Sequence, residues 1–230
     1  MRTQFDRELA DIRNAIQQLG AQASRATARA VDALINRNME EARAIKRDDI
    51  SSDKLRYEIE SLCLTVIATQ QPVARDLREL TAATFVAVEL ERCGDYAKGI
   101  AKAARRIIRA NCQIDAFGLR EMADHAHAML DRSIEAFVRQ DAALARELID
   151  MDQIVDQHYD TLLQQVTAEM SSHPQNIEGG IWVLHAGHCL ERIGDRATNI
   201  AERVIFLDTG VLTGDLNTRS TDGARTLFPG

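Results

Sequence analysis

Aromatic side chains make up only 4% of this chain, and its 230 residues include just three prolines and 12 glycines. With so few breakers, and with Ala, Arg, Leu, Ile, Asp and Glu dominant, the composition favours an all-α protein of long helices. The four cysteines, Cys63, Cys93, Cys112 and Cys189, lie far apart with no CxxC pair. They read as reduced thiols of a cytosolic protein rather than a disulfide framework. The N-terminal stretch MRTQFDRELADIRNAI turns amphipathic and acidic at once, which is not the pattern of a signal peptide. A membrane span needs about 20 consecutive apolar residues, and none is present. Cations are outnumbered 28 to 35, and the formal charge of −7 argues against broad attraction to nucleic acid or anionic lipid. Also missing are GxxxxGK[ST], GxGxxG after a strand, HExxH and a nucleophile elbow. The Glu-x-x-His pairs of ferritin-like di-iron bundles are absent too.

Apolar residues, 45% of the chain, recur at three- and four-residue spacing from about residue 4 to 208. Asn38 and Asp141 precede fresh helical patterns as N-caps, with Glu41 in capping-box position relative to Asn38. Pro72 and Pro174 suit helix starts, and residues 111–118 form a longer break. The pattern predicts six helices, roughly 4–37, 39–69, 73–110, 116–139, 142–171 and 175–208. Residues 209–230 lose the periodicity and read as a flexible tail.

The chain repeats itself. LERCGDYAKGIA at 90–101 and LERIGDRATNIA at 190–201 share eight of twelve residues. At an offset of 103, Asn38 aligns with Asp141, Asp49 with Asp152 and Asp53 with Asp156, and Pro72 nearly matches Pro174. A period this long is that of a duplicated three-helix unit. The predicted fold is two tandem, similar three-helix bundles, residues 1–112 and 113–208, followed by the tail.

Each half carries two acidic pairs at i, i+4: Asp49/Asp53 and Glu91/Asp95 in the first, Asp152/Asp156 and Glu191/Asp195 in the second. Residues four apart share a helix face, so each pair aims both carboxylates one way. Glu191 and Asp195 lie roughly 160° from the stripe of Leu190, Ile193, Ala197, Ile200 and Val204. Asp152 and Asp156 flank the Val155/Leu162/Val166 stripe at roughly 60–100°. The acids therefore avoid the core, and two adjoining helices in each half would assemble a four-carboxylate surface patch. Hard oxygen donors of this kind suit Mg²⁺, Mn²⁺, Ca²⁺ or iron. A single such pair is ordinarily solvated surface; four at matched positions point to a cation role.

Gly94 and Gly194 sit between core stripe and acids, where glycine costs a helix about 1 kcal/mol relative to alanine. Their expected role is to let the preceding helix approach. His188 and His185 precede Glu191 by one and two turns, but Val88 and Phe85 stand at the matching places of the first half. Both histidines read as packed or exposed residues, with ligation of the second patch as the alternative. Arg75, Asp76 and Arg78 read as a capped, ion-paired helix start, with an anion held at that helix N-terminus as the alternative.

The two LER-x-GD turns, the segment QPVARDLRELTAA at 71–83 and the paired acids on the preceding helices resemble the PhoU family over residues 1 to about 208. The resemblance implies a fold of two three-helix bundles and a non-enzymatic, cytoplasmic, often homodimeric accessory protein of phosphate transport. It further implies signalling between a phosphate ABC transporter ATPase and a sensor histidine kinase, at most peripheral membrane association, and repression of the starvation response when phosphate is plentiful. It also implies multinuclear iron or zinc clusters on Asp49, Asp53, Glu91, Asp95, Asp152, Asp156, Glu191 and Asp195. The second half reads GDRATNI, the family's usual form, whereas the first reads GDYAKGI. Lys98 there would compete with a bound cation, so the second patch is expected to be the tighter site. Rival readings are a carboxylate-bridged hydrolase or oxidase, and a metal-free helical scaffold.

Overall fold

The computed structural model describes residues 2–211, apart from the side chains of Arg2, Asp49 and Ile50. These residues form six α-helices: α1 Arg2–Ile35, α2 Met39–Gln70, α3 Arg75–Arg109, α4 Leu119–Arg139, α5 Ala142–Ser172 and α6 Ile177–Thr209. A short 3-10 turn, Pro174–Asn176, leads into α6.

Local chemistry sets most boundaries. Asn38 Oδ1 accepts from the backbone N–H groups of Glu40 and Glu41, and Asp141 Oδ1 from those of Ala143 and Leu144, so both predicted caps form. The reciprocal half of the capping box does not. Glu41 is drawn to Arg29 of α1, and the Asn38 N–H bonds the Ala33 carbonyl instead. Gln71, Gln140 and Gly210 close α2, α4 and α6 in the left-handed conformation.

Several ends differ from expectation by a few residues. α3 begins at Arg75 rather than 73, because Pro72 belongs to the connection and Ala74 takes a φ of 51°. α4 begins at Leu119, and Pro174 starts the 3-10 turn rather than α6. The predicted tail lies, beyond residue 211, outside the described residues.

Helices α1, α2 and α3 pack on one another, as do α4, α5 and α6, and the two bundles meet through α3 on α6 and α1 on α4. The stripes predicted for α5 and α6 are buried, and their apolar residues join one continuous core with those of the first bundle. Fully burying such a side chain stabilises by about 1.5–3 kcal/mol. The four cysteines are buried and unbridged.

Polar contacts fix the seam between bundles. Ser24 of α1 donates to Asp131 of α4 at 2.7 Å and contacts His127 at 3.0 Å. Glu79 accepts from Arg13 at 2.6 Å and from Gln140, the residue closing α4. Arg75 donates to the same Gln140 at 3.0 Å. Arg75 thus reaches the second bundle, and the start of α3 is not side-chain-capped, since Ala74 supplies no side-chain cap.

Candidate functional site: two carboxylate patches

In the second bundle α5 and α6 lie side by side with their acids facing one another. Asp152 reaches the backbone of α6 at Gly194: a Cβ placed there would stand 3.4 Å from Asp152 Oδ1 and 3.6 Å from Val155 Cγ1. That is ordinary contact, so alanine would fit. The approach of α5 at Gly194 thus tolerates a methyl, and only a larger side chain would push α5 away.

The four carboxylates feel each other. Burial lifts the Asp152 carboxyl above the usual range, and Asp156, Asp195 and Glu191 add to the shift. Asp156 is raised by burial and then by Glu191. Asp195 is raised by burial against the pull of Arg192, with Glu191 and Asp156 reinforcing the rise. Asp152, Glu191 and Asp195 are half-buried and Asp156 is exposed.

Positive charge is already present. Arg192 donates to Asp195 at 2.9 Å and to Glu191 at 3.3 Å. His188 Nδ1 lies 2.9 Å from Glu191, so that histidine does join the patch. His185 turns the other way, edge-on to Trp182 and beside Cys189. Burial lowers its pKa, with Lys102 adding to the effect.

The first patch is built alike but carries a different cation. Burial raises the Glu91 carboxyl, Asp95 and Asp53 add to this, and Lys98 opposes it. Lys98 is ion-paired with Asp95. The side chain of Asp49 lies outside the described residues. A cleft of about 250 Å³ opens here between α1, α2 and α3, lined among others by Arg29, Asp48, Ser52, Gly94 and Lys98.

Both patches supply oxygen donors of the right chemistry for a hard cation. Among the described residues, however, no three such side chains are gathered into a ligating group. Arg192 and Lys98 stand among the carboxylates, so a bound ion would have to displace them.

The GDYAKGI/GDRATNI difference has a structural reason unrelated to ligation. Asn199 turns from its patch across the bundle seam and donates to Glu89 of α3 at 2.9 Å. Glu89 is only 1% exposed and also accepts from Arg196 at 3.1 Å and Arg92 at 3.1 Å. At the pseudo-equivalent position Gly99 faces Cys189, whose Sγ would lie 2.7 Å from an added Cβ. Asn199 answers a buried glutamate, and Gly99 makes room for a buried cysteine. Sequence reasoning missed Glu89, since a carboxylate two residues before Glu91 looks like more solvated surface. It also missed Arg192, although an arginine follows the glutamate in both LER turns.

Fold and faces together define a duplicated all-α protein that displays charged patches at matching places on its two bundles. The sequence profile described as PhoU domain matches residues 16–115 and again 119–204. The PhoU homolog of Pseudomonas aeruginosa, named a phosphate-specific transport system accessory protein, is 31% identical over 208 residues, covering 90% of this chain and 86% of that protein. The homolog of Streptococcus pneumoniae is 32% identical over 217 residues, covering 94% of this chain and 100% of that protein. The crystal structure of PhoU from Pseudomonas aeruginosa superposes with a TM-score of 0.86 at 31% identity, covering 90% of this chain and 100% of that chain. That of the phosphate transport system regulatory protein PhoU from Streptococcus pneumoniae gives 0.84 at 30% identity, with 90% and 98% covered. The chain belongs to the PhoU family.

Proposed function

We propose that this protein is a non-enzymatic, cytoplasmic regulator of phosphate uptake and of the phosphate-starvation response. In this reading it works as a homodimer that links the ATPase of a phosphate ABC transporter to a sensor histidine kinase. The observation that carries the proposal is the family match through both repeats, backed by relatives about 30% identical over 90% of the chain and named accessory proteins of phosphate transport. No described helix is long and apolar enough to cross a membrane, which accords with an accessory part. Deleting the gene and following a phosphate-starvation reporter at high phosphate tests the proposal. Derepression is expected; continued repression would sink it.

The patches enter this reading as cation sites that stiffen the helical faces on which partners dock. Asp152, Asp156, Glu191 and Asp195 would hold the ion in the second bundle, and Asp49, Asp53, Glu91 and Asp95 in the first. A bound cation would supply positive charge that offsets the carboxylate repulsion which, after burial, raises Asp152, Asp156 and Asp195 in the second bundle and Glu91 in the first. Iron or zinc is the occupant by family resemblance, with Mg²⁺ or Mn²⁺ also suited to oxygen donors. Elemental analysis after native purification, with a thermal shift on adding each metal, checks this. Metal is expected at the second patch and expected to fall in an Asp152→Asn/Asp156→Asn variant.

A further inference from the structure

Charge is not spread evenly over this acidic chain. Between Asp95 and Asp115 there is no carboxylate, while Lys98, Lys102, Arg105, Arg106 and Arg109 follow one another along α3. Their spacing of i, i+4, i+7, i+8 and i+11 confines them to an arc of roughly 100°. That arc lies opposite the buried Ile100, Ala104 and Ile107. The matching stretch of α6 carries Glu202, Arg203 and Asp208 instead. Lys98 is held by Asp95, but among the described residues Lys102, Arg105, Arg106 and Arg109 appear in no ion pair. Arg43, Lys46 and Arg47, exposed on the first turns of the antiparallel α2, lie at the same end of the bundle.

The start of α6 adds apolar surface beside these cations. Its first turn packs on the residues that follow α3, with Gly179 against Cys112 and Ile114. Trp182 lies under Lys102 Nζ, 5.7 Å from the ring centre, and Arg106 Cζ, 5.6 Å away. Ile177 and Ile181, one turn apart, are 46% and 55% exposed.

We infer that this end of the molecule is a docking surface for an anionic lipid bilayer. Cations flanking an indole and two protruding isoleucines have the composition of a headgroup–acyl boundary, where charge meets phosphate and the apolar tips enter the interface. The stripe is about 16 Å long, twice the Debye length of about 8 Å at physiological salt. A membrane therefore meets the local positive charge rather than the net charge, which by itself argued against such binding. Duplex nucleic acid would use the cations but leave the isoleucines in water. This inference goes beyond the regulatory reading and does not depend on it.

Co-sedimentation of the full chain with vesicles of phosphatidylcholine alone, or mixed with phosphatidylglycerol, tests it. Binding is expected to the mixed vesicles only and is lost at high salt. Lys102→Gln and Arg109→Gln should each weaken binding about fivefold, the usual effect of one cation at an anionic surface. Their charge-reversal forms should abolish it. Ile181→Ser should weaken binding without changing its salt dependence. Arg7→Glu, at the opposite end of α1, should bind as wild type, and thermal melts confirm that the variants are folded. Equal binding to neutral vesicles, equal loss in Arg7→Glu, or tighter binding to polyglutamate or duplex DNA than to mixed vesicles would overturn the inference.

Discussion

Replacing Gly187 and Gly194 by alanine, one at a time, separates what helix chemistry contributes from what packing demands. Both glycines are buried in α6, seven residues apart, and both face α5. Each substitution gains the same helix propensity, about 1 kcal/mol. At Gly194 the new methyl meets Asp152 and Val155 at 3.4–3.8 Å, so the gain survives and the variant should be equal to or up to about 1 kcal/mol more stable than wild type. At Gly187 the methyl falls well inside contact with Leu162 Cδ2 and 3.3 Å from Tyr159 Cδ2. Leu162 is a fully buried core residue with nowhere to retreat. Overpacking of this kind costs about 1–3 kcal/mol, leaving Gly187→Ala neutral to about 2 kcal/mol less stable. Urea denaturation with a shared m-value reads the difference, about 1–3 kcal/mol in favour of Gly194→Ala. If Gly194→Ala proved the less stable of the two, the account of the α5–α6 approach would be refuted.

Other consequences concern charge. Glu89→Gln keeps an acceptor for Asn199 but strips the counter-charge from Arg196, and should cost about 2 kcal/mol in chemical denaturation, discounted for the partial exposure of both arginines. A loss no larger than for an exposed Glu→Gln control would count against a seam-locking role. The carboxyls of the second patch are raised in the folded state, which therefore binds more protons; their contribution to stability is fully present below the ordinary Asp value of 3.8 and is lost as pH rises through the elevated folded values. Asp156→Asn should therefore stabilise at neutral pH, by about 0.3 kcal/mol for a mostly exposed like-charge pair, and this advantage should vanish in acid. Melts across a pH series check both. Burial pushes the Cys63 thiol up to about 12 and Cys189 to about 11, and raises Cys93 as well. Native protein should react with a thiol reagent far more slowly at mildly alkaline pH than protein unfolded in urea; a fast native phase would contradict their burial.

Much of this protein was legible before any coordinates. Apolar spacing, two N-caps and the repeat led directly to six helices in two bundles, because a helix must bury one stripe and the stripe is written in the order of residues. The placing of Glu191 and Asp195 off the core stripe followed from the same arithmetic, whereas their nearness to Asp152 and Asp156 was conditional on α5 and α6 meeting at that flank. The basic arc of α3 was equally visible, yet it vanished when charge was summed over the chain instead of followed along one helix face.

Which helices of the two bundles meet could not be read this way. Each helix sequence records how much of its surface is apolar, but not which other surface will cover it. Only the packing of α3 on α6 made Glu89 a buried partner of Asn199 and Arg196 and gave Gly99 its reason in Cys189, and only the packing of α5 on α6 turned Gly187 rather than Gly194 into the position where a methyl has no room. Local periodicity determined the elements and the direction of their faces; contacts between residues a hundred positions apart decided what each face touches.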